Sequence, residues 1–323
     1  MQNHWWRGGS GLSGAAGLVD LAAVGDESRA GNDADDGVWV SLAGATTGLF
    51  VGGKTTTSLA EFDAKVDMLM RHILQRHPVS VRAFFRRTLV LTYALPEESL
   101  VGLLPPGLAL DTYREFGFLA IAMVQTEGLR PVWLPPQLGR DFFLSGYRVF
   151  ARYRTESGHT LRGLRILRSD TDSCLMQAMG NLLTHYNYHK AAVTVGERSG
   201  YLDVEVRTAG GVADLRVRAD LVRRPAPLPW GSPFESVEVA RRFAGPLPFT
   251  FDYEPQTHSM IVIEGVRDEW RPEPVTVNVL ENSFFARPCW KGVNPILANA
   301  FYLSNVPYKW RRGVRHPLEG GAA

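Results

Sequence analysis

The spacing of apolar and polar positions divides the chain into a head without periodicity, one helical stretch and a long strand-rich body. Residues 1–57 are rich in Gly, Ala, Ser, Thr and Asp and show no sustained period, which predicts a flexible or disordered extension. From residue 58, apolar side chains at Phe62, Val66, Leu69, Met70, Ile73 and Leu74 follow one helix face, and Pro78 stops the run. The pattern then turns to β. Phe84 to Tyr93 is dense in aromatic and β-branched residues. After a short helix beginning at Pro96 and a break at Pro105-Pro106-Gly107, Phe116 to Gln125 runs nearly uninterrupted in apolar residues, as a strand buried on both faces does. Gly146 to Thr155 alternates Arg148, Arg152 and Arg154 with Val149, Ala151 and Tyr153, so cations and apolar groups take opposite faces. A turn at Glu156–His159 brings the chain back as Leu161 to Leu167.

A second helix follows, with Leu175, Met176, Met179, Leu182, Leu183 and Tyr186 as its expected buried stripe. Ser169 or Asp170 is expected to accept its first-turn amides. Gly180 within it costs about 1 kcal/mol relative to alanine, which points to close packing against another element. Beyond Ala191, three strands joined by glycine turns form a meander to Leu221, and further strands lie near Met260–Ile263 and Val275–Leu280. The chain closes on aromatic, proline-broken sequence, and residues 313–323 read as a free tail. The organisation predicted is one β-rich α+β domain over residues 58–312, with no internal repeat.

Composition narrows the function classes. Apolar residues make up 45% and charged residues 21%, within the globular range. The net charge of +2 and the scattered arginines argue against nucleic acid and against an anionic membrane as partners. Lysine occurs only at Lys54, Lys65, Lys190, Lys291 and Lys309, so amine nucleophiles are few. Cys174 and Cys289 stand alone, which predicts neither a disulfide framework nor a zinc ribbon and fits a cytoplasmic protein. Gly48-x-x-x-x-Gly53-Lys54-Thr55 matches the spacing of a phosphate loop, but no repeating βαβ units surround it, and a Gly/Thr-rich loop is the simpler reading.

Three stretches resemble the DUF2071 family, itself related to the acetoacetate decarboxylase-like fold. They are Leu103-Leu104-Pro105-Pro106-Gly107-Leu108, Gly146-Tyr147-Arg148, and Arg162 through Asp170; the helix ending His185-Tyr186-Asn187-Tyr188-His189 adds to the likeness. The resemblance covers roughly residues 80–310. It implies an antiparallel β-barrel or cone with helices packed outside and an enclosed pocket. Acetoacetate decarboxylases carry a Schiff-base lysine after a Phe-Pro pair that follows the helix, with a second lysine beside it. Superposition from Gly180 sets Tyr186-Asn187 on Phe-Pro and Tyr188-His189 on the lysines. Lys190 falls one position later, and in a strand that slip reverses the face.

The candidate chemistry is therefore Tyr188 as a general acid, Lys190 as an amine nucleophile if a bulge turns it inward, and His189 as the neighbour that tunes it. Arg148, Arg165 and Arg168, with His185 and Asn187, are the candidate substrate-binding groups. An arginine fork grips a carboxylate by two parallel bonds, although the same arginines could instead pair with Asp170, Asp172 and Glu156 outside. His185 and His189 are four residues apart without a helical glutamate between them, so no metal is expected, nor any other cofactor. Two functions stay open: an enclosed site for a small organic acid, acted on by lyase or isomerase chemistry, or a non-catalytic ligand-binding or structural protein. A small carboxylate ligand and a homo-oligomer are the expected partners.

Overall fold

The long, doubly apolar strands of the sequence become the wall of a closed circuit. A computed structural model describes residues 72–245, 247–267 and 270–319. The N-terminal extension, the Gly48–Thr55 loop and the predicted leading helix as far as residue 71 lie outside them; His72–Leu74 are helical. The first strand, β1 (Val81–Pro96), is followed by the short helix α1 (Glu98–Val101), then β2 (Leu108–Leu110), β3 (Phe116–Pro131), β4 (Arg140–Arg154) and β5 (Thr160–Thr171). Helix α2 (Cys174–Leu183) leads to β6 (Tyr188–Arg198), β7 (Tyr201–Thr208) and β8 (Leu215–Asp220). Helix α3 (Val237–Ala244) precedes β9 (Phe249–Glu254), β10 (Ser259–Val266), β11 (Glu273–Pro274), β12 (Thr276–Asn282), β13 (Ile296–Trp310) and β14 (Val314–Pro317). The fold is a strand-rich α+β arrangement with few helices among the described residues.

The pairings run β5-β9-β10-β13-β1-β3-β4 and return from β4 to β5. A branch of β6, β7, β8 and β12 leaves this circuit at β5. The sheet is mixed, where the resemblance implies an antiparallel one: β5 pairs in parallel with both β6 and β9. The physical cause at β6 is α2, whose crossover returns the chain in the same direction as β5. The β5–β9 seam is short, only Gly163↔Phe249, Leu164↔Thr250 and Arg165↔Phe251. Val314–Pro317, inside the stretch expected as a tail, form β14 against β10.

Alternation along β3 sorts the core. Leu119, Ile121 and Met123 point outward with Leu89, Tyr147 and Val149 of neighbouring strands, and the branch sheet covers them with Val204, Leu215 and Val217. Phe118, Ala120, Ala122 and Val124 point inward with Val90 and Phe150. Large side chains thus fill the outer layer, while small ones at Ala120 and Ala122 leave room inside.

Two local expectations change. Strand β5 continues through Thr171, so Ser169 and Asp170 belong to it and Ser173 caps α2 by accepting from the Met176 amide. The helix also packs by a narrower strip than its apolar spacing suggests. Met176, Gly180 and Leu183 face the circuit, whereas Leu175 and Leu182 stay 51% and 38% exposed. Gly180 makes that strip possible: a Cβ there would lie 2.4 Å from the Tyr188 ring.

Candidate functional site

Inside the circuit lies a cavity of about 220 Å³. That is below the roughly 300–1,000 Å³ of pockets for drug-sized ligands, so the space suits nothing larger than a small metabolite. The lining is largely apolar, from Val90, Ala120, Ala122, Val124, Leu164 and Ile166, closed by α2 through Met176 and Leu183 and by the rings of Phe85, Trp270, Phe301 and Trp310. Polar groups break this surface at Arg148, Arg267, His77, Tyr186, Tyr188, Tyr308, Ser169, Thr88, Thr126, Thr184 and Thr250.

Arg148 is the chemically decisive one. Even-numbered positions of β4 face inward here, with Arg148 beside Phe150. A register shift between Tyr147 and Arg148 against β5 places it, and Gly146 clears the space its guanidinium occupies, since a Cβ there would sit 3.0 Å from Arg148 Nε. Its Nε is buried without any hydrogen-bond partner, and no carboxylate pairs with it among the described residues. Burial pulls the guanidinium below its ordinary pKa, offset in part by Tyr308, Tyr188 and Tyr186. Arginine nonetheless keeps its charge, so the cavity holds an uncompensated cation.

The tyrosines supply donors. Tyr186 is buried with its hydroxyl unpartnered, and burial raises its pKa well above the usual phenol value. Burial pushes Tyr188 up to about 12, against a lowering by Arg148. Both stay protonated at physiological pH and can donate to an oxygen on the ligand. Asn181 fixes the chain around Tyr188: its Oδ1 accepts from the Tyr188 amide and its Nδ2 donates to the Tyr188 carbonyl, at 2.7 and 2.9 Å. Thr88 Oγ1, on β1, is a further buried hydroxyl without a partner.

The remaining candidates lie elsewhere. Strand period sends His189 to the outer face, next to Arg168 and Asp170, and burial followed by the Arg168 charge lowers its pKa. Lys190 is exposed and its Nζ donates to the Asp172 carbonyl. It has the parity of Tyr188, but β5 ends at Thr171, its pairing partner, so the side chain lies past the circuit's edge and over the turn into α2. Arg165 pairs with Asp252 at 2.6 Å and Arg168 with Asp170 at 2.7 Å. His185 gives Asp252 two contacts, from its amide at 3.1 Å and its Nδ1 at 2.9 Å. Asn187 is exposed in a left-handed conformation and donates to the Leu167 carbonyl. Of the eight residues singled out in the sequence, the structure brings Arg148 and Tyr188 together in the cavity.

Tyr186, Arg267, Tyr308 and Thr88 join them there without having been singled out as site residues. One signal for the cavity was available in Phe118-Leu-Ala-Ile-Ala-Met-Val124, where small residues alternate with large ones and mark which face is hollow. Arg267 and Tyr308 lie too far from the rest in sequence for any local pattern to join them. No set of three or more His, Cys, Asp or Glu residues among the described residues is placed to hold a metal, and no described helix is long and apolar enough to cross a membrane.

Solved structures similar to this chain include the acetoacetate decarboxylase of Legionella pneumophila, at 13% identity over 76% of this chain and 88% of that one, with a TM-score of 0.47. MppR, an enduracididine biosynthesis enzyme complexed with pyruvate, is similar at 10% identity over 74% and 90% of the two chains, TM-score 0.47. An acetoacetate decarboxylase-like enzyme from Sphingomonas wittichii RW1 is similar at 14% identity over 76% and 94%, TM-score 0.45. No curated protein matches the chain. The family described as an uncharacterized conserved protein, DUF2071, matches residues 82–306, which is most of the sequence, and the chain belongs to that family.

Proposed function

We propose that this protein binds a small organic acid inside the strand circuit, which we read as the wall of a barrel, with the acid's carboxylate received by Arg148. One observation carries the reading: a half-buried arginine whose Nε is buried and unpartnered, with no carboxylate beside it among the described residues, in a largely apolar cavity. An unpaired buried cation is costly, and an anion that arrives with matching geometry relieves that cost. Tyr186 and Tyr188 donate to the same or an adjacent oxygen, and the aliphatic lining takes the carbon skeleton. Isothermal titration with short carboxylic acids tests this. Saturable binding by the wild type, weakened about 30-fold or more in Arg148→Met, is the expected result. Equal binding by both proteins, or by neither, overturns it.

A second reading is that the bound acid is also turned over. The buried, unpartnered hydroxyl of Tyr186 favours it, since a phenol held protonated beside a cation is suited to protonating a developing enolate or leaving oxygen. Among the described residues no lysine lines the cavity, and in this reading the chemistry is acid-assisted by the phenol. Proton exchange at the α-carbon of a bound keto acid, followed by NMR in deuterated buffer and slowed in Tyr186→Phe, is its test.

A further inference from the structure

Arg148 shares the cavity with a second cation. Arg267 directly follows β10 and lines the same space. Its Nη1 donates to the Tyr308 hydroxyl at 3.1 Å, and its guanidinium carbon lies 4.5 Å from the centre of the Trp270 ring. Neither partner brings negative charge, because a phenol is neutral at physiological pH and an aromatic face offers only its quadrupole. Gly265 preserves the arrangement, as a Cβ there would fall 2.0 Å from the Tyr308 oxygen.

The contrast with other arginines of the chain is direct. Arg76, Arg162, Arg165 and Arg168 each meet a carboxylate that is nearly or wholly buried. Arg148 and Arg267 meet none among the described residues, and both face one cavity of about 220 Å³. Burial lowers the pKa of both guanidinium groups, and Tyr308 raises both. Tyr308 is therefore their common neighbour. Its oxygen accepts from Arg267 and keeps its own proton for donation to a ligand.

We infer that the natural ligand carries two negative charges: a small dicarboxylic acid, one carboxylate on Arg148 and the other on Arg267, with a short carbon spacer against Ala120, Ala122 and Val90. The inference rests on the proposed binding of an organic acid in this cavity and specifies its class. The small volume restricts the spacer to a few carbons.

The test is titration calorimetry on the full chain with succinate and glutarate, each compared with its monoamide, which keeps the shape and removes one charge. The wild type is expected to prefer the diacid by about 10-fold or more. Arg267→Gln is expected to erase that preference while leaving the monoamide within about twofold, and Arg267→Lys to retain most of it. Thermal melts of both variants establish that they are folded. Equal affinity for diacid and monoamide in the wild type, with both lost in Arg148→Met, overturns the dianion and leaves the organic-acid site standing. Absence of binding by any of the four compounds overturns both. Methyl phosphate binding more tightly than either diacid also overturns the dicarboxylate, in favour of one doubly charged group held between the two arginines.

Discussion

Arg148 and Arg165 sit on adjacent strands of one hairpin and meet opposite electrostatic fates. Arg165 reaches Asp252 across the β5–β9 seam, where His185 adds its amide and imidazole to the same carboxylate. Arg148 points into the hollow and, among the described residues, meets no carboxylate there. One arginine fastens the circuit at a seam of only three residue pairs. The other is left without a counter-charge, in a place where a carboxylate from the chain would have filled the space. The difference teaches that the unsatisfied charge, rather than charge as such, marks the site, because structural arginines arrive with their partners already in place.

The largest effect that would sharpen this contrast is expected at Asp252. Asp252→Ala leaves the partly buried Arg165 without its partner and removes the acceptor of His185, at a cost of about 3 kcal/mol, measurable by urea denaturation. Arg148→Met should act in the opposite sense. It removes an uncompensated charge from an apolar cavity, so stability should rise by about 1–3 kcal/mol while acid binding falls. A lower melting temperature for that variant would break the comparison, since Arg148 would then be structural too. Gly180→Ala adds a methyl group 2.4 Å from the Tyr188 ring. Overpacking of about 1–3 kcal/mol should outweigh the helix-propensity gain of about 1 kcal/mol, lowering both the melting temperature and ligand affinity.

The pH dependence separates the two regions further. Burial alone would raise the Asp252 carboxyl, but the hydrogen bond from His185 and the charge of Arg165 outweigh it and hold the pKa below the usual carboxylate value. A depressed folded-state pKa stabilises above the unfolded pKa, and that contribution fades as pH falls through the folded one. Acid denaturation below about pH 4 should therefore be less steep in Asp252→Asn. Tyr188, pushed up to about 12, should show no phenolate absorbance through the neutral range. The smallest effect is expected at Lys190: exposed and bound to the Asp172 carbonyl, it should tolerate Lys190→Ala with acid binding unchanged within about twofold.

Much of the wall was legible in the sequence because strand alternation is local. Phe84–Tyr93 and Phe116–Gln125 fall within β1 and β3, and Gly146–Thr155 overruns the end of β4 by one residue. Gly180 announced a close approach, and Tyr188 supplies it. The helix limits were less legible. Asp170 reads as a cap because it precedes an apolar stripe, yet Arg168 holds it in β5 by three short contacts of 2.7–2.9 Å. The sorting of the arginines was not legible at all. Whether Arg165 or Arg148 is paired depends on Asp252, and only closure of the circuit brings that residue near.

The brevity of the β5–β9 seam has a kinetic consequence. β1, β3, β4 and β5 pair each with its neighbour in chain order, apart from the short β2, so their loops close early and at small entropic cost. The union of β5 with β9 joins segments far apart in the chain and rewards that long loop with only three residue pairs. Contacts made that late stay absent from the folding transition state, and their loss is felt mainly in how fast the native state comes apart. The Arg165–Asp252 contact is therefore a determinant of persistence more than of assembly, and the lifetime of the closed cavity is expected to depend on that seam together with the two-pair joint of β10 and β13.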